Sequence, residues 1–508
     1  MEVSWGLLSW VLPMLLAMTP RIPGAVVARV GVVSSALGAM LGAAVLAGRP
    51  LGLVALPWFA VIAWPFIAGL SVWVQWFSVR HLRADPGQRR FVGAVNALTG
   101  ASVGVVIAPS VLWFAVAWSA AGAALLTLLA SGPASGQARS GIVRTGVALL
   151  VGDAALWAAV ALLAAGSGGD IPWTRLAGSV TGLPVPVRAA AALLVAIAAL
   201  SRSAQAPFHR WLPATLAAPT PVSAIMHAGV VNAATFLALR FAGVLTAVPA
   251  AMIVLLACGS FTMLAGAAGY LLNGDLKGRL VASTAAQMGF MVMTLGVGAW
   301  GAAVFHLIGH GIYKARLFLG AGGQIDRIRA AAGAPDALRT PSRGHRLGAM
   351  LTAAGVPGAA IALTAAVAGT DTSGLVLAVY GWIAAAVLAE ALLTRTAWGP
   401  AKKALVVAGI AAGSAVYVEA VHAFSALIAS DVPGVGWVAP GWVLLLPLAL
   451  VALISLAPRL RPATASPVYA LLSRIAVTPL RPLRARGRRR PAPTMQPAFV
   501  LHPSEELA

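Results

Sequence analysis

Apolar runs of about twenty residues recur along almost the whole chain. They lie near 4–19, 23–47, 52–79, 91–109, 111–131, 142–166 and 184–207, and again near 220–243, 248–272, 279–297, 299–320, 346–369, 373–395, 402–429 and 436–457. Twenty helical residues at about 1.5 Å each cover the roughly 30 Å hydrocarbon core of a bilayer. The pattern therefore predicts an all-α polytopic membrane bundle of about 14–15 transmembrane helices, with no separate soluble domain between them.

Composition makes the same case. Of the 508 residues 60% are hydrophobic and 9% charged, against roughly 25% charged in an average soluble domain, which excludes a water-soluble fold. The start, MEVSWGLLSWVLPML, carries Glu2 in place of a basic leader and reads as a retained first helix. One cysteine, Cys258, lies in an apolar run, so neither a disulfide framework nor a cysteine metal site is expected.

The formal net charge of +22 reflects Lys and Arg in short loops and in the tail, so topology explains it and nucleic acid is not an expected partner. Basic residues follow alternate runs: Arg80, Arg83, Arg89 and Arg90, then Arg139, then Lys277 and Arg279, then Arg327, Arg329, Arg339 and Arg343, then Lys402 and Lys403. The other loops carry Asp170, Asp371 and Asp431, with Arg49 and Arg175 as exceptions. Because Lys and Arg favour the cytoplasmic side, the N-terminus is expected outside and the Arg/Pro-rich tail, 458–508, in the cytoplasm of a cell-membrane protein. That tail is expected to touch anionic lipid or a soluble partner.

Each ionisable residue held in hydrocarbon costs about 3 kcal/mol on insertion scales, so the few inside the runs carry the functional signal. They are Asp153, Arg202, His209, His227, Arg240, Lys277, His306, His310, Lys314, Glu390, Arg395, Glu419 and His422. Acid, base and imidazole together are what a proton relay needs. In FHLIGHGIYKARLFL, His306, His310 and Lys314 recur every four residues and so share one helix face.

That stripe admits three readings: a zinc pair, two structurally hydrogen-bonded histidines, or a proton path. H-E-x-x-H is missing its Glu here and no third ligand is evident, which weighs against zinc. A buried lysine on the same stripe favours the path, because a buried ammonium can exchange its proton.

Pro207, Pro213, Pro219 and Pro221 forbid one continuous helix through residues 201–225. The interruption is either a broken helix packed in protein at membrane depth or a plain loop, and the flanking Arg202 and His227 favour the first. Asp153, alone in LLVGDAALWAAV, calls for a cationic partner, and Arg202 is the expected one. Glu390 and Arg395, five apart in one helix, read more as a helix end near the interface than as a site.

At these motifs the sequence resembles the antiporter-like membrane subunits of respiratory complex I and of multisubunit cation/proton antiporters. SRSAQAPFHRWLPATLAAPTPVSAIMHA, NGDLKGRLVASTAAQMGF and AAVFHLIGHGIYKARLFL carry the likeness, over residues 150–320. The resemblance implies two inverted five-helix repeats, each with a broken helix, and a polar row conducting protons. It divides the chain into N-terminal helices at 1–90, repeats at 91–243 and 244–395, C-terminal helices at 396–457, and the tail.

By resemblance Asp153, Lys277, His306, His310 and Lys314 fall on family positions, Arg202 replaces the usual central lysine, Ser119 replaces a glutamate, and a second lysine is missing near Ala366. These departures, and M-H-A-G-x-x-N-A at 226–233, resemble the membrane subunit of two-component inorganic-carbon uptake systems, the DabB type. That resemblance implies a large soluble DabA-type, carbonic-anhydrase-like partner on the cytoplasmic side, with zinc in the partner and no cofactor or catalysis in this chain. The alternative it leaves open is a proton-translocating subunit of a complex I-like quinone oxidoreductase or cation/proton antiporter.

Overall fold

The computed structural model describes residues 2–132, 135–273, 276–320, 343–368, 372–394, 398–432 and scattered positions between 437 and 449. The last expected run and the tail lie essentially outside the described residues, as does Arg395. A 3-10 helix, Glu2–Trp10, leads into α1 (Val11–Met18), then α2 (Gly24–Gly48), α3 (Trp58–His81), α4 (Gln88–Ile107), α5 (Val111–Ala130) and α6 (Gly136–Ser167). Next come α7 (Trp173–Thr181), α8 (Val185–Arg202), the single turn α9 (Trp211–Ala214), α10 (Thr220–Ala228), α11 (Ala233–Arg240) and α12 (Ala242–Thr246). The remainder is α13 (Pro249–Leu272), α14 (Leu276–Val297), α15 (Trp300–Leu319), α16 (Arg343–Ala368), α17 (Thr372–Leu393) and α18 (Pro400–Ala429).

Twelve spans among the described residues are long and apolar enough to cross a membrane, α10 and α11 counting together as one. The twenty-residue α15 is not among them, because His306, His310, Lys314 and Arg316 dilute its apolar character. The first run is shorter than expected: the 3-10 turn leaves α1 only eight helical residues. Arg89 holds the end of α1. Its guanidinium donates to the carbonyls of Ala17 (3.2 Å), Pro20 (2.8 Å) and Ile22 (2.9 Å) and to that of Thr19, covering acceptors a helix C-terminus leaves open.

Local chemistry sets the helix ends. Ser110 and Ser135 cap α5 and α6 by accepting the N–H of Trp113 and Ala138. Gly168, at φ +76°, closes α6 in the left-handed conformation glycine favours. Close packing rests on small residues: a Cβ at Gly259 or Gly266 of α13 would lie 2.4 Å from the backbone nitrogen of Met293 or Ala286 of α14, so these helices meet backbone to backbone.

Over 201–225 the helix is interrupted. α8 stops at Arg202, the chain runs through the buried Ser203, Ala204 and Gln205, and α9 supplies one turn before α10 starts. Pro207 lies exposed in that connection, Pro213 sits in α9, Pro219 caps α10 and Pro221 is its second residue. The irregular backbone is satisfied from the protein: Trp211 Nε1 donates to the Ser201 carbonyl (2.9 Å), Ala206 N–H to Thr262 Oγ1 (2.9 Å), and Ser203 Oγ accepts Ala234 N–H (3.2 Å). A second interruption follows at Gly229, where α10 gives way to a 3-10 turn, Val230–Asn232, before α11.

One expectation needs correcting. The resemblance implies a second break around GVPGAAIALTAA, at 355–366, but there the described helix α16 runs without one from Arg343 to Ala368 with Pro357 inside it. A single proline removes one backbone hydrogen bond, which a helix can absorb as a kink. The four prolines around α9 leave no such option.

Candidate functional site

Arg202 ends α8 with its side chain 2% exposed. Its Nη2 donates to Asp153 Oδ1 of α6 at 2.9 Å and to the Trp118 carbonyl of α5 at 3.0 Å, and its Cζ lies 4.4 Å from the centre of the Trp118 ring. The expected Asp153–Arg202 pair is thus formed. The guanidinium fits because Gly122 is beside it: a Cβ there would lie 3.0 Å from Nη2. On the same side of α6, Trp157 Nε1 donates to Ser119 Oγ at 3.0 Å, so the serine that replaces a family glutamate is engaged by an indole.

Arg202 also borders a cavity formed where α10 is interrupted. It offers about 60 Å³ to the centres of water molecules, room for several, and Thr99, Ser102, Trp118 and Asn232 line it with apolar residues of α3, α4 and α15. Asn232 is 1% exposed and its Oδ1 has no protein partner, as does Trp118 Nε1. Thr99 links the cavity to a buried neutral network: Thr99 Oγ1 donates to Ser71 Oγ (2.8 Å), Gln75 Nε2 to Ser35 Oγ (2.7 Å), and Asn96 Nδ2 to Gln75 Oε1 (3.0 Å). Such uncharged groups join α2, α3 and α4 in a bilayer.

The second centre is on α15. His306 and His310 stack with ring centres 5.8 Å apart, and Lys314, 0% exposed, donates to Ser283 Oγ (2.9 Å) and the Leu280 carbonyl (3.3 Å) of α14. Neither acceptor carries a charge. His310 is 4% exposed and both of its ring nitrogens are without a partner. His227 of α10 stacks on Phe318 (4.5 Å) and lies within electrostatic reach of Lys314, Lys277 and His310. Gly311 lets α15 approach so closely: a Cβ would lie 2.8 Å from the Ala228 carbonyl and 2.4 Å from Phe66.

Other predicted residues fall elsewhere. Lys277, at the start of α14, donates to the Ala218 carbonyl (2.9 Å) and to that of Leu216, fastening the α9–α10 connection. Glu390 is half-buried on α17 and no described contact joins it to the α15 row. Glu419 and His422 face outward from α18. Arg240 stacks between Phe59 (4.9 Å) and Trp173 (5.0 Å). Among the described residues no three His, Cys, Asp or Glu side chains gather as a metal site.

Sequence reasoning missed Asn232, Ser283, Gln287 and Trp118. They are uncharged and invisible to a search for ionisable residues, although Ser283 and Gln287 stand in the S-T-x-x-Q run and Asn232 in M-H-A-G-x-x-N-A.

Residues 108–336 match the transmembrane family model of the NADH:quinone oxidoreductase/Mrp antiporter. A probable inorganic carbon transporter subunit DabB1 of Halothiobacillus neapolitanus is 38% identical over 276 residues, 53% of this chain and 49% of that protein. NADH-quinone oxidoreductase subunit L of Mycobacterium tuberculosis is 34% identical over 265 residues, 51% of this chain and 41% of that one. The chain thus spans about half the length of the curated relatives it matches. The solved Mrp complex from a Dietzia species aligns over 95% of this chain and 53% of that one, with a TM-score of 0.58 at 24% identity, which is a likeness of fold. Through residues 108–336 the chain is therefore similar to the antiporter-like membrane subunits of the NADH:quinone oxidoreductase/Mrp family, and its relatives include a DabB-type inorganic carbon transporter subunit.

Proposed function

We propose that this chain is the membrane subunit of an energy-coupled inorganic-carbon uptake system, conducting protons or another cation to drive a soluble DabA-type, carbonic-anhydrase-like partner in which any zinc resides. The observation that carries the conducting role is Lys314, a fully buried ammonium with only neutral partners, in line with His310 and His306 and beside His227. A structural cation in a bilayer is paired, and an unpaired one marks an ion path. The carbon-uptake half of the reading rests on the DabB-named relative. On this reading the partner docks on the cytoplasmic face, the termini lie as the basic loops suggest, and chemistry stays in the partner.

The test is growth in ambient air of a carbonic-anhydrase-deficient host expressing the chain together with its soluble partner. Rescue is expected with the pair and with neither alone, and a correctly assembled pair that fails to rescue overturns the reading. A second reading, a subunit of a quinone oxidoreductase or cation/proton antiporter, is favoured by the family match itself. It predicts instead that small membrane subunits purify with the chain.

A further inference from the structure

α14 and α15 form a hairpin pivoting on Gly298 and Ala299, where Gly298 takes φ +93°. In an antiparallel hairpin, residues equidistant from the turn sit at the same level. Two observed contacts fix the facing sides: Lys314 Nζ reaches Ser283 Oγ at 2.9 Å, and the His306 ring lies 5.1 Å from that of Phe290. Ser283, Gln287 and Phe290 share one face of α14, as His306, His310 and Lys314 share one face of α15. Gln287 lies between the two contacts on one helix and His310 between them on the other, which sets them at the same level on the facing sides of the hairpin, although no hydrogen bond joins them in this structure. Both hold unsatisfied groups there: Gln287 Oε1 and both nitrogens of His310 are buried without partners.

We propose that Gln287 is the positioning partner of His310. A neutral imidazole has one N–H donor and one bare acceptor nitrogen, and a carboxamide has both an acceptor oxygen and a donor nitrogen. Gln287 therefore accepts the His310 N–H in one tautomer and, after its amide turns over, donates to the bare nitrogen in the other. Each proton that enters His310 at one nitrogen and leaves from the other exchanges the tautomers, and an amide serves both where a carboxylate or a methylene would not. The titratable groups that act on His310 are His306 and Lys314 on α15 and His227 on α10, and Ser283 on α14 holds Lys314. The proposal rests on the ion-path reading above, since without proton traffic the amide has no tautomers to follow.

The test uses the full chain in proteoliposomes. Gln287→Leu, which can neither accept nor donate, and Gln287→Glu, which when ionised only accepts, should each lower proton flux by about tenfold or more, less than the roughly 100-fold expected for loss of a proton-transfer group itself. The wild-type 15N signals of His310 should show a hydrogen-bonded N–H that Gln287→Leu abolishes, a change that altered helix packing alone would not single out at this ring. If Gln287→Leu does not accumulate, Gln287→Glu and the wild-type spectrum carry the decision. Wild-type flux in both variants, or a His310 spectrum unchanged by Gln287→Leu, overturns the pairing. Loss of flux in Lys314→Met with an unchanged His310 spectrum in Gln287→Leu would leave the ion path standing and sink this inference alone.

Discussion

Arg202 and Lys314 are both cations sealed inside the bundle, at 2% and 0% exposure, yet their surroundings differ in kind. Arg202 is held by the Asp153 carboxylate, a carbonyl and the face of Trp118. Lys314 has a hydroxyl and a carbonyl, and two histidines up the helix. A guanidinium does not give up its proton in a protein, so pairing it makes a fixed charge. An ammonium without a counter-charge can lose its proton and stay buried, which makes it a group that switches. On the proposed ion path the two centres would therefore divide the work: one setting a constant field beside the cavity, the other changing charge.

The sharpest way to break this contrast is at Lys314. Lys314→Met should reduce proton flux by about 100-fold or more, in the range of lost acid–base groups, while thermal unfolding in nanodiscs shows equal or greater stability. Lys314→Arg should be as inactive, and a wild-type rate in that variant would end the switching assignment.

Next in size is the paired side. Asp153→Leu leaves the Arg202 charge uncompensated and should destabilise the protein by about 3–5 kcal/mol, whereas Asp153→Leu combined with Arg202→Met should recover most of that loss. Equal unfolding midpoints for the single and double variants would show that the pair is not what stabilises this region. Gly311→Val sharpens the comparison at the seam between α15 and α10: the added side chain must displace Phe66 or the Ala228 carbonyl, at about 1–3 kcal/mol, and flux should fall with it. The smallest effect is expected for Trp157→Phe. It removes the hydrogen bond to Ser119 and should lower the unfolding free energy by about 0.6 kcal/mol, the average for interhelical bonds in membranes.

Spans were legible because a bilayer imposes a length on them. The run at 23–47 is the helix Gly24–Gly48, and that at 402–429 is Pro400–Ala429. Charged site residues were legible for a related reason: Asp153 in an apolar run had to have a partner, and Arg202 was near enough in type and place. The break at Gly229–Asn232 was not, because no proline marks it and a glycine followed by two valines looks like ordinary helix. Nor was the Ser35–Gln75–Asn96–Thr99 network, whose members are neutral and scattered over three runs, so that only the packed fold brings them together.

Lys277 carries a consequence for motion. Its ammonium sits on the half of the chain that begins at α13 and grips two carbonyls of the α9–α10 connection, which belongs to the other half. Transport by rocking one bundle against another would have to tear that grip open and remake it in every cycle. Charge moving by short hops along stationary helices asks nothing of it, so the clasp fits the proposed conducting role only if the frame stands still while it works.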